Sequence, residues 1–575
     1  MRCRCTTLAW QVRTLSGLLG LLFLILQQAH AGDALQFRKS YFVTGDYVVG
    51  GVGMRGQGVL DVSTKALTGT TVDHYAAGTI PMSGVPANAN VVAAFLYWQT
   101  IADPGSDVSA LAVGSFRGRK LRGTPIHPPG TPACWSSGGG AGTTGGAQNL
   151  LVFRADVLRY LPFSIDAAGR PTGQRQANGN HPIKLPDSGS GGTQSPSSGN
   201  QSFLTEGVSL LIVYRSAGDS YRSVIIYDGG FTMNQDNAAL GMNQTVQGFY
   251  EAAITAPVGK MTHIVGDGDP NFRDRLEVNG SVPPGVSADD AFQGQAGSSW
   301  DNLTFGVTPF LGGPVPVGSI TTRVLPVQSS IDCLSWAAIV FSTTVQDSDH
   351  DGLLDVWETT SGGVLDPNDP AGYHLPDLKS MGANENFRDL FVELDYMRAS
   401  TAWPNGLAPA HGHLPTRGVL DMVGDAFKNS PVDCDAAAPP HCKGVNLHFD
   451  VGNNRQDSPY VIPYHAGVNK GGDVIEESDT ACVSSPTQAC QYPNYLGTVS
   501  YKEGFRVIKD GDSDRTDSFQ DGHFDHHRKD IFHYALFAHA LAIPKWRISD
   551  GSLVSIAVAS GVATITTASD HAMAA

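Results

Sequence analysis

CLSWAAIVFSTTVQDSDHDGLLDVWE, residues 333–358, changes character halfway along. Its first part, residues 333–345, is apolar and rich in β-branched and aromatic side chains, and it reads as a strand. From Gln346 onward, five carboxylates and one glycine fall within thirteen positions. Charges of one sign at that density repel one another unless an opposite charge sits among them. The chain therefore divides here. Before the division, apolar runs recur between Gly, Pro, Asn and Ser turns: VVAAFLYW (91–98), NLLVFRADVL (149–158), VSLLIVYR (208–215) and RSVIIYDGGF (222–231). Runs without polar alternation suit strands covered on both faces, so residues 32–345 are expected to form an all-β sandwich or jelly roll. The 67 glycines and 34 prolines among 575 residues agree with a loop-rich β architecture. Two low-complexity stretches, 136–146 and 188–202, read as surface loops.

Counting from Asp347 places Asp, Asp, Asp, Gly, Asp and Glu at positions 1, 3, 5, 6, 9 and 12, the ligand register of an EF-hand calcium loop. Calcium takes six to eight oxygens, so Asp347, Asp349 and Asp351 would each offer one and Leu353 its carbonyl. Asp355 would act directly or through water, and Glu358 would close the shell with both oxygens. Gly352 permits the sharp bend. A solvated acidic turn rarely reproduces the whole register. Because a strand enters the loop, only a short helix leaves it, and no second loop pairs with it, the pattern fits a structural clamp between domains rather than a sensor. With LDPNDP (365–370), the segment 346–384 resembles the aspartate-rich calcium repeats of thrombospondin type 3 and related bacterial surface proteins.

Compartment follows from the N-terminus. Arg2, Arg4 and Arg13 precede LSGLLGLLFLIL (15–26) and Ala29-His30-Ala31, which reads as a signal peptide, residues 1–31, cleaved after Ala31. About twelve apolar residues are too few to span a bilayer, which takes about twenty. The expected product is secreted or held at the cell surface. Six cysteines remain beyond the leader, and an even number in an exported chain suggests disulfides, Cys434 with Cys442, Cys482 with Cys490 and Cys134 with Cys333. Zinc is the rival reading, but no C-x-x-C pair is present. A net charge of −16 argues against a nucleic-acid partner.

After the loop, NFRDLFVELDYM (386–397) and GVNLHFDVG (444–452) read as strands, TRGVLDMVGDAFKNS (416–430) as an amphipathic helix, and DHHRKDIFHYALFAHAL (525–541) as a long helix. Strand, helix, strand, helix implies an α/β module over 385–548. DLFVELDYM, VNLHFDVG and FHYALFAHAL together resemble the front half of a secreted bacterial zinc-metallopeptidase-like module, which implies an H-E-x-x-H zinc helix further on. None of the eighteen histidines is followed by glutamate, so the module reads as incomplete and no zinc ligand carries over. Residues 549–575 read as a β-rich tail cut short. The phrase GVPANANVVAAFLYWQ (84–99), with VSLLIVY and VIIYDGG, resembles a β-rich module of bacterial surface and secreted proteins whose activity is not established; separately, the β-domain of this chain is expected to contact a glycan or a surface protein.

Other candidates are weaker. His526, His527, His533 and His539 lack the i, i+4 spacing of zinc helices. The acidic run 510–521 has Arg515 where a calcium loop has glycine. Asp395 and Asp450 end apolar strands, where catalytic carboxylates sit in α/β folds, but the sequence names no partner for either. G-x-S-x-G and a P-loop are both absent. The reading is thus a secreted, non-catalytic calcium-binding protein, with a member or fragment of a zinc-metallopeptidase family as the alternative.

Overall fold

A computed structural model describes most of residues 33–566; outside the described residues lie 1–32, 135–147, 189–202, 234–240, 251–256, 401–408, 433–443, 477–504, 512–521, 547–552, 567–575 and a few shorter gaps. The expected leader, both local cysteine pairs, both low-complexity stretches (except Ser188), His539 and nearly all of the acidic run 510–521 fall outside. The chain is mostly β, divided into two compact units, Met1–Val345 and Gln346–Ala575.

In the N-terminal unit one strand organises the rest. β1 (Gln36–Gly53) is 18 residues long. Its first half pairs antiparallel with β5 (Tyr221–Met233), and from Gly45 its second half pairs with β4 (Phe203–Arg215). Neighbouring strands are β2 (Asn90–Ala102), β3 (Asn149–Asp156), β6 (Gly259–Gly266), β7 (Trp300–Gly306) and β8 (Leu334–Thr344). With Thr124–Pro125 at one edge they complete a nine-stranded sheet in the order β7-β6-β8-β5-β1-β4-β2-β3-edge. β1 is shared by two wings, β4-β2-β3 and β5-β8-β6-β7.

Strand periodicity turns alternate side chains to opposite faces, and here both faces are buried. On β2, Ala94, Leu96 and Trp98 enter one core, while Ala93, Phe95 and Tyr97 enter another. On β8, Trp336, Ile339 and Phe341 join a third core, while Ala337, Ala338 and Val340 join the one that β2 reaches from the other wing. The two wings therefore pack on each other. A five-stranded sheet that includes His74–Met82 and Gly179–Pro186 covers one outer face, and a three-stranded sheet of Met242–Gln247, Asp274–Val278 and Ser319–Pro326 covers the other. This stacking explains why VVAAFLYW has no polar alternation. Cys134 and Cys333 form the expected disulfide, closing a separation of 199 residues.

The C-terminal unit is built on β9 (Asp389–Ala399), which pairs in parallel with β10 (Asn446–Asp450) and β11 (Val474–Glu476) and with β12 (Phe532–Phe537). Val392, Leu394, Leu447, Phe449 and Ala535 lie on one face, packed with Leu420 of a helix, Arg417–Lys428. This strand–helix–strand order matches the expected α/β module, with one correction. Residues 525–541 are not a long helix: a single 3-10 turn, His526–Arg528, is followed by strand β12 and by the start of a hairpin, Ala540–Trp546 with Leu553–Ser560. A short apolar run carries no periodicity that separates a parallel strand, buried on both faces, from a buried helix. Phe532, Tyr534, Ala535 and Leu536 are all buried. Among the described residues no helix is long and apolar enough to cross a membrane.

Candidate metal centre

The acidic loop begins three residues after β8 ends and folds on its own side chains. Asp347 accepts hydrogen bonds from the N–H groups of His350 (2.8 Å), Asp351 (3.3 Å) and Gly352 (3.1 Å). Gly352 has φ 97°, the conformation expected of the glycine at position 6. Leu353 donates its N–H to Asp351 Oδ1 at 2.7 Å. A short helix, Asp355–Thr359, then carries Glu358 inward.

The oxygens that result fall into two sets. Ligand atoms of Asp347, Asp349 and Asp351 lie within 4.8 Å of one another, and so do those of Asp351, Glu358 and Asp389. Asp389, the first residue of β9, is a member that the loop register could not reveal. It is drawn in because its own N–H donates to Asp351 Oδ2 at 2.6 Å, while Arg388 Nε donates to the Asp349 carbonyl at 2.9 Å. The Asp389 carboxylate is itself oriented, by His448 Nε2 at 2.6 Å and by the Asn384 N–H at 2.8 Å. Asp355 belongs to neither set: its two oxygens accept from Ser348 N–H at 2.7 Å and Ser348 Oγ at 2.6 Å.

Glu358 is 1% exposed, and among the described residues neither of its carboxylate oxygens has a hydrogen-bond partner. Asp349 Oδ2, in a residue 7% exposed, is in the same position. Burial, followed by the charges of Asp351, Asp349, Asp389 and Asp347, pushes the Glu358 carboxyl up to about 10. Burial and Asp349 push Asp351 up to about 8, and burial and Asp347 push Asp349 up to about 7. A buried, unpaired carboxylate is costly, and either protons or a cation must compensate it. The donor set is all oxygen and mostly carboxylate, which suits a hard cation such as calcium.

Two further groups stand elsewhere in this unit. His526 and His527 lie with Asp369 of the LDPNDP stretch, their ligand atoms within 4.8 Å. Folding supplies the third group that sequence spacing could not. Asp395, fully buried, accepts from Tyr534 Oη at 2.9 Å and from the Asp473 N–H at 2.8 Å, and it clusters with Asp473 and His523. Asp450 pairs with Arg528 Nη2 at 2.8 Å, and Arg528 Nη1 also bonds Glu393. His533 is on β12, where burial lowers its imidazole below the usual range.

No protein-family model matches this chain, and no curated protein matches it. Among solved structures it is similar to the extracellular domain of ANXUR1 from Arabidopsis thaliana, at 8% identity over 53% of this chain and 90% of that one, with a TM-score of 0.17. PNGF-II is matched at 10% identity over 53% of this chain and 66% of that one, with a TM-score of 0.18. Likenesses of this size carry no argument about function.

Proposed function

We propose that this chain is an exported calcium-binding protein in which the ion fixes residues 347–358 against the N-terminal end of β9. The observation that carries the reading is Glu358, whose two buried, unpartnered oxygens lie beside the carboxylates of Asp351 and Asp389. Without a cation these carboxyls hold protons or repel; with one, their charges become ligands. Every group in the two sets belongs to the C-terminal unit, so the clamp joins the loop to the sheet of its own unit. The role is structural, and no catalytic step is assigned.

Calorimetric titration of the full chain with calcium is expected to give a dissociation constant on the order of 10⁻⁴ to 10⁻³ M, the range of extracellular modules. Glu358→Ala should lower the heat by removing a ligand from the site. Equal binding by that variant would overturn the proposal.

A further inference from the structure

The five carboxylates are not grouped as one set. They sort into two triads that share one residue: Asp347, Asp349 and Asp351 on the side of the loop, and Asp351, Glu358 and Asp389 on the side of β9. Each triad has its own buried oxygen without a hydrogen-bond partner, Asp349 Oδ2 in the first and both Glu358 oxygens in the second. The shared residue faces both ways. Asp351 Oδ1 accepts from Leu353 within the loop, and Asp351 Oδ2 accepts from the N–H of Asp389 on β9. A carboxylate oxygen that accepts one hydrogen bond retains a lone pair for a metal.

We infer that the centre holds two divalent cations bridged by the Asp351 carboxylate, the second coordinated by Glu358 and Asp389. This rests on the calcium reading above. It goes further by making Asp389, thirty-one positions beyond Glu358, a metal ligand. Charge favours it: one divalent cation among five clustered carboxylates, three of them in buried residues, leaves three negative charges uncompensated, and a second leaves one. The two ions have separate duties, the first closing the loop on itself and the second fastening the loop to the sheet.

Equilibrium dialysis of the full chain against calcium, with bound metal counted by elemental analysis, should give two ions per chain at saturation. Asp389→Asn, which preserves shape and can still accept from Asn384, should give one. Asp347→Asn should also lose one, by weakening the other triad, and Asp351→Asn should lose both. Circular dichroism of each variant at saturating calcium checks that the fold persists. One ion per chain in the unaltered protein would overturn the two-ion inference and leave calcium binding intact, whereas no bound ion would overturn both. Two ions retained by Asp389→Asn would remove that residue from the site.

Discussion

Asp355 departs from the role that the sequence suggests for it, and Asp389, for which the sequence suggests none, stands among the clustered carboxylates. Position 9 of the loop register is a carboxylate, as a calcium loop requires, yet Asp355 spends both oxygens on Ser348 and ties the first turn of the loop to the exit helix. Its replacement should therefore act on folding of the loop rather than on the ion. Asp355→Asn is expected to weaken calcium binding by less than about tenfold, that is less than about 1.4 kcal/mol, where Glu358→Ala removes a ligand and costs more; equal loss in the two variants, read by calorimetry, would make Asp355 a ligand. Positions 1, 3, 5, 6 and 12 are legible in sequence because the loop is local, and a local pattern is all that a register can hold. Asp389 is not legible, since nothing but the fold brings the first residue of β9 to Asp351.

At the scale of elements, the strands of the N-terminal unit were readable from their apolar runs, but the sharing of β1 between two wings was not. That arrangement depends on close approach at Gly45, where an added Cβ would stand 2.0 Å from the Tyr214 carbonyl oxygen and 2.9 Å from Arg215 Cα. Both obstacles are backbone and cannot rotate away. Gly45→Ala should destabilise the N-terminal unit by about 2–3 kcal/mol, the cost of overpacking a closed core. Gly306→Ala, with nothing within 4 Å of the new methyl, should be neutral within about 1 kcal/mol. Similar denaturation midpoints for the two variants would deny Gly45 this role. The misreading of residues 525–541 has the same origin as the success with VVAAFLYW: a run buried on both faces announces burial clearly and secondary structure poorly.

For the molecule as a whole, the N-terminal unit buries acids of its own. Burial, with the charges of Asp274, Asp267 and Asp269, pushes Asp332 up to about 9, and burial pushes Asp274 up to about 7 and Asp301 to about 6. A carboxyl whose folded value lies above its ordinary 3.8 binds its proton more tightly when folded. Its contribution is full below pH 3.8 and is lost as pH rises through the folded value. The thermal midpoint of this unit should therefore fall between pH 7 and pH 9, and Asp332→Asn should flatten that fall. A midpoint that stays level or rises across this window in the unaltered protein would refute the assignment.

β1 has a further consequence, in time rather than in space. Its residues are paired with residues about 150–190 positions later in the chain, so during synthesis the strand appears long before β4 and β5 exist to receive it. Contacts so distant in sequence are reached slowly, since loop closure must precede any gain from pairing. Until then an 18-residue strand waits with both edges open, and an open edge is a template for the wrong neighbour. Among the described residues, the strand that unites the two wings is thus the one that waits over the longest stretch of chain for its partners, and the yield of folded protein depends on how well it is shielded during that interval.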